Sequence, residues 1–163
     1  MVSQKQRGFS LIELMVVLSI LVILITIGVP SLSGYLNSQR LNTVTQLIKD
    51  SYSQARYEAV SRKKAVTLCP LDISTVSCGK QWGEGVMVYI DENGDGAFNM
   101  ADDQRLRQAD FPEGVTVTLK NRSQVRISSS GATSDSGTFL ISVSGSTTQN
   151  SLIISSAGRI RLG

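Results

Sequence analysis

Few residues of this 163-residue chain could do chemistry. There is no histidine, which removes Ser-His and Cys-His nucleophilic catalysis. No two carboxylates pair in an apolar setting as an acid and base would. The chain therefore reads as non-enzymatic, and no cofactor is expected. What stands out instead is a pair of guanidinium groups, Arg159 and Arg161, two residues apart behind Gly158. On a strand both side chains leave the same face and can meet successive phosphates, and the planar fork of arginine engages phosphate oxygens bidentately. Gly158 allows a tight turn or a close backbone approach just before them. Lys120, Arg122 and Arg126 lie in neighbouring β segments and extend the candidate patch. Few aromatics accompany these bases, so contact with the backbone of duplex DNA is favoured over stacking on single strands. The alternative is that Arg159 and Arg161 are edge-strand charges that discourage aggregation or bridge to a neighbouring subunit.

A second cluster is acidic. Asp91-Glu92-Asn93-Gly94-Asp95-Gly96 follows D-x-N-x-D-G, with Asp102 at the twelfth position, close to a calcium-loop pattern whose ligands would be Asp91, Asn93, Asp95 and Asp102. The twelfth position holds Asp where Glu is usual, and the preceding segment reads as strand, so a polar hairpin turn explains the same residues. Charge is polarised along the chain. Residues 72–103 carry seven acids against Lys80, whereas residues 104–163 carry seven bases against Asp110, Glu113 and Asp135.

The element that must position all this begins near the N-terminus. From Phe9 to Val29 the only charged side chain is Glu13. These 21 residues would make a helix of roughly 31 Å, enough to cross a hydrocarbon core of about 30 Å. A secretory signal is cut after its apolar region. Here the candidate cut, within Lys5-Gln6-Arg7-Gly8, precedes it and would leave the helix on the mature protein. Removing Lys5 and Arg7 lowers the formal charge from +3 to 14 − 13 = +1. Glu13 is costly in lipid, by about 2.5–3.5 kcal/mol at a helix centre and less near an end, so a cation at its depth is its natural partner. The alternative is an interfacial Glu that snorkels into the headgroups.

At Gly8-Phe9-Ser10-Leu11-Ile12-Glu13-Leu14 the chain resembles the type IV pilin family. The resemblance implies cleavage between Gly8 and Phe9 by a prepilin peptidase, N-methylation of Phe9, and assembly through Glu13 with a neighbouring subunit's N-terminal amine. Further matches are Cys69-Pro70, Cys78, Trp82-Gly83-Glu84-Gly85 leading into Val86–Asp91, and Gly158-Arg159-Ile160-Arg161. These are similar to the FimT/GspH minor pilins, and most like FimT, whose DNA-binding members share the terminal Gly-Arg-x-Arg. What this implies is a minor pilin, held in the bacterial inner membrane with its soluble domain in the periplasm. It would join other major and minor pilins in a pilus at the cell surface and bind double-stranded DNA during natural transformation. The alternative is a GspH-type minor pseudopilin of type II secretion with a purely structural role. A domain delivered across the membrane meets an oxidising compartment, so Cys69 and Cys78 are expected to form a disulfide. A metal site would need His or further Cys.

The fold class that follows is α+β, a long N-terminal helix packed against an antiparallel β-sheet domain. The expected divisions are a leader at 1–8, a transmembrane helix at 9–29, an amphipathic helix at 30–63 and a β-rich domain at 64–163. Leu41, Val44, Leu47, Ile48, Ala55 and Ala59 form the apolar stripe of the second helical part. Gly28 and Pro30 are expected to kink or loosen the helix between the two parts. Arg62-Lys63-Lys64 ends the helix, either as a solvated helix end or as a contact for phosphate or headgroups. Strands are expected at 66–69, 86–90, 115–119, 124–127, 139–143, 152–155 and 159–162, with Asn121 opening the turn between the third and fourth. Trp82 is expected to anchor the core.

Overall fold

A computed structural model describes residues 9–133 and 136–163, the side chains of residues 27–31 excepted. Gly8, with the rest of the leader, and Asp135 lie outside the described residues. Helix α1 (Leu11–Arg62) is continuous and runs across Gly28 and Pro30. The chain divides into two compact units, Met1–Leu36 and Asn37–Gly163. In the first, Ser10 caps the helix, its hydroxyl accepting the Glu13 N–H at 3.2 Å, which satisfies one of the orphan donors of a helix start. The apolar side chains from Leu11 to Ile25 are about half exposed or more, and the hydroxyls of Ser19 and Thr26 bond back to the carbonyls of Met15 and Ile23. Among the described residues no helix is long and apolar enough to cross a membrane. Described side chains of the expected 9–29 span reach only Thr26.

In the second unit the helix buries Leu41, Val44, Ile48, Tyr52, Ala55 and Ala59, a stripe at three- and four-residue steps; Leu47 is only half-buried. The helix stops because Lys63 turns to φ 55° and the Lys64 N–H closes on the Ala59 carbonyl at 3.2 Å, a left-handed cap. The basic run there is largely spoken for. Arg62 pairs with Glu58 at 2.6 Å and Lys64 with Glu92 at 2.6 Å.

Among the described residues nine strands follow: β1 (Val66–Asp72), β2 (Ser77–Cys78), β3 (Gly85–Ile90), β4 (Gln104–Asp110), β5 (Val115–Leu119), β6 (Val125–Ile127), β7 (Gly137–Val143), β8 (Gln149–Ile154) and β9 (Ile160–Leu162). They form two antiparallel sheets, one ordered β2-β1-β3-β4 with β6 also on β1, the other β5-β7-β8-β9. The β-rich domain is antiparallel as expected, in two sheets, and β5 and β6, on either side of the Asn121 turn, do not pair with each other. Asn121 does turn the chain, at φ 68°, but β6 joins β1 through Leu68↔Val125 while β5 joins β7 through Val117↔Ile141. The turn hands the chain from one sheet to the other.

The main core lies where the helix stripe meets the inner residues of both sheets. Alternation does this: β5 buries Val115, Val117 and Leu119 and exposes Thr116 and Thr118, the period of a half-covered sheet. Trp82 sits in this core, edge-on to Phe139 with ring centroids 4.9 Å apart, and its indole N–H reaches the Ser123 carbonyl at 3.0 Å. The other face of the first sheet has a smaller core of Cys69, Leu71, Met87 and Tyr89, against which Cys78 and Phe98 pack. A Cys69–Cys78 disulfide ties the β1–β2 loop there.

Candidate nucleic-acid interface

Arg159 and Arg161 stand at β9, an edge of the second sheet. The turn that delivers them is built from backbone. Ser155 donates to the Arg159 carbonyl at 2.9 Å, and Gly158 donates to the Ser155 carbonyl at 2.9 Å. Gly158 has φ 73°, and a Cβ on it would collide with the Gly131 carbonyl oxygen, so no other residue fits without a shift. Arg56 holds the same Gly131 oxygen through Nε at 3.1 Å. Gly158 is thus required for the turn, which sets where both arginines begin.

The sheet register shows what else shares their face. Arg161 lies opposite Ile153, Ile153 opposite Thr138, and Lys120 continues the ladder by donating to the Thr138 carbonyl at 3.0 Å. The flanking Phe139, Leu152 and Ile154 are buried, so the row Lys120–Thr138–Ile153–Arg161 faces away from the core. Across three strand spacings it spans about 14 Å. None of β5, β7, β8 and β9 contains a carboxylate, and among the described residues Lys120, Arg159 and Arg161 have no ionic partner. A row with a cation at each end, and no ion-paired acid among the described residues, can hold a polyanion.

Two other sequence candidates are not brought into this row. Arg126 belongs to the first sheet and pairs through Nη1 with Asp91 at 3.1 Å. Its charge offsets a carboxylate whose side chain is fully buried, so it is engaged within the first sheet. Arg122 lines a separate groove with Lys80 and Trp82. Conversely, Lys49 and Arg56 on α1 line a groove of about 620 Å³ with Tyr52, Tyr57 and Arg159. Both lie off the apolar stripe of the helix, and only the fold brings them next to Arg159. Their seven-residue spacing put them on one helix face, which was the available signal.

The acidic loop between β3 and β4 is occupied by its own backbone. Asp91 accepts from the Gly94 N–H at 2.7 Å and the Gly96 N–H at 3.1 Å. Asp103 accepts from Glu92 and Asn99, and Asn93 and Asp95 bond each other. Among the described residues no group of three potential ligands could hold a metal ion. The oxygens of Asp91, Asn93 and Asp95 thus shape the loop through its own backbone. Phe9 lies two residues ahead of α1 and Glu13 in its first turn, both exposed.

Comparison with known proteins bears on the whole arrangement. Residues 3–29 match the prokaryotic N-terminal methylation motif. A stretch of 68 residues, 42% of the chain, is 41% identical to prepilin peptidase-dependent protein D of Escherichia coli (strain K12), and spans 39% of that protein's length. The crystal structure of the type IV minor pilin FimU of Pseudomonas aeruginosa is similar with a TM-score of 0.58 and 26% identity, over 76% of this chain and 92% of that one. The minor pseudopilin EpsH from the Type 2 Secretion System of Vibrio cholerae shares the fold, with a TM-score of 0.54 and 16% identity over 76% of this chain and 96% of that one. Residues 44–158 match the family described as Type II transport protein GspH, and the chain belongs to that family, among the type IV pilin-like minor pilins and pseudopilins.

Proposed function

We propose that this chain is a FimT-like minor pilin that binds duplex DNA without sequence preference during uptake in natural transformation. Prepilin peptidase would cut between Gly8 and Phe9, Phe9 would be methylated, and the helix would hold the protein in the inner membrane with its β-rich domain in the periplasm. From there it would join other pilins in a filament at the cell surface. The observation that carries the DNA reading is the row from Lys120 to Arg161, whose cations have no ionic partner among the described residues, with Arg159 two residues before Arg161. The match to the N-terminal methylation motif supports the processing and anchoring steps. The full chain in detergent, titrated into random duplex DNA in gel shifts at several salt concentrations, tests the reading. Binding should weaken steeply with salt, and Arg159→Gln/Arg161→Gln should flatten the log–log slope by about two units. Absence of binding at low salt, or a slope unchanged in the double variant, would overturn it.

The family's own description favours a second reading, a structural pseudopilin of type II secretion using the same surface for subunit contacts. Neighbouring genes separate the two. A pilus and competence cluster supports the first, and a secretion operon supports the second.

A further inference from the structure

A groove of about 620 Å³ separates α1 from the start of β9, wholly within the unit Asn37–Gly163. Lys49, Arg56 and Val60, seven and four residues apart, form its helix wall beside the buried stripe. Gly158 and Arg159 form the other wall, and Tyr57, 70% exposed, lines it as well. The two walls are locked to each other. Arg56 donates through Nε to the Gly131 carbonyl at 3.1 Å, and Gly158 packs so closely on that carbonyl that it has no room for a side chain. A cleft with walls fixed in this way is preformed, as ligand sites usually are.

Every charged group lining the groove is a cation: Lys49, Arg56 and Arg159. Among the described residues none of the three has an ionic partner, and Arg56 gives Nε to an uncharged carbonyl, so its charge is unspent. The acids of this stretch of helix stay outside the groove. Asp50 accepts from Gln46, and Glu58 pairs with Arg62. Three like charges around one cleft concentrate an anion there. Arg159 also adjoins the row that ends at Arg161, so the groove and the row share a border.

A duplex can lie along that row, but it is too broad to enter a cleft of small-molecule size. A single nucleotide can enter, and it joins a negative charge to a flat ring. The row itself has no aromatic side chain, whereas the groove offers the exposed Tyr57 ring, and bases stack on such rings whatever their sequence. We propose that the groove receives one unpaired nucleotide from the end of a DNA duplex seated on the row, its base against Tyr57 and its phosphate among Lys49, Arg56 and Arg159. This rests on the DNA reading above and adds a preference to it, for ends that carry single-stranded overhangs.

The test is a fluorescence-anisotropy titration of the full chain in detergent with a blunt duplex and with the same duplex carrying a short single-stranded overhang. The overhang should tighten binding about tenfold. An abasic overhang keeps the phosphates without the bases and should lose most of that gain. Tyr57→Ala should lose it too, and Tyr57→Phe should keep it, because the ring and not the hydroxyl stacks. Equal binding of blunt and overhang duplexes would overturn the groove's role and leave the duplex reading standing. No binding of either would sink the duplex reading, and the inference with it. A gain that survives Tyr57→Ala would place the base elsewhere and overturn the inference. So would displacement of the overhang by hexaglutamate where a single-stranded hexanucleotide fails, the mark of a site for acidic polypeptide.

Discussion

Asp91 is where a motif and its physical use part company. As sequence it heads a calcium-like run. As structure it is a buried carboxylate, 5% exposed, held by two backbone amides and the Arg126 guanidinium. A buried charge costs several kcal/mol unless it is paired and hydrogen-bonded, and each of those three partners offsets part of that cost. Asp91→Ala removes the charge but strands the donors of Gly94, Gly96 and Arg126. It should destabilise the fold by about 2–4 kcal/mol in urea denaturation followed by circular dichroism. Millimolar calcium should leave the midpoint of the natural chain where it was, because Asp91 has no free oxygen to offer. Arg126 was legible as a base but not as a partner, because the acid it serves lies 35 positions earlier and only the pairing of β3 and β6 on either side of β1 brings them together.

At the scale of elements, alternation and β-branched residues made β1, β3, β5, β6, β7, β8 and β9 readable. β4 escaped because Gln-Arg-Leu-Arg-Gln-Ala-Asp has neither; pairing with β3 makes it a strand, and tertiary context outweighs propensity there. β2 is two residues long and exists through its pairing with β1, beside the disulfide. That bridge closes a separation of nine residues, so Cys69→Ala/Cys78→Ala should lower stability by about 2–3 kcal/mol in the same denaturation assay. The small core beneath it also has a pH limit. Burial is the main reason the Tyr89 phenol is pushed up to about 12, with the carboxylates of Asp91, Asp103 and Asp95 adding to it, and its hydroxyl reaches the Gly96 carbonyl at 3.2 Å. The fold favours the neutral phenol, so its contribution is full below the unfolded value near 10 and is lost as pH rises towards 12. That loss is about 2 kcal/mol. Tyr89→Phe should be less sensitive than the natural chain across that window, in stability measured between pH 9 and 12.

For the whole molecule, the main core belongs to one unit and Glu13, the proposed assembly residue, to the other. Every residue of the main core falls between Leu41 and Ile160, whereas Glu13 sits in the first turn of α1 within Met1–Leu36. Glu13→Val should therefore leave thermal unfolding of the β-rich domain within about a degree of the natural chain, since exposed sites outside a core rarely matter to it. Its effect on filaments separates two roles. The Ser10 hydroxyl already caps the Glu13 N–H, and Ser-x-x-Glu is the capping-box pattern, in which Gln serves as well as Glu. If Glu13 only secures the helix start, Glu13→Gln will restore incorporation into sheared filaments where Glu13→Val has lost it. The proposed pairing with a neighbour's N-terminal amine needs the charge, because a neutral amide cannot offset a cation at that depth. Under it both variants should fall by an order of magnitude or more in the immunoblotted filament fraction, at equal amounts in the membrane.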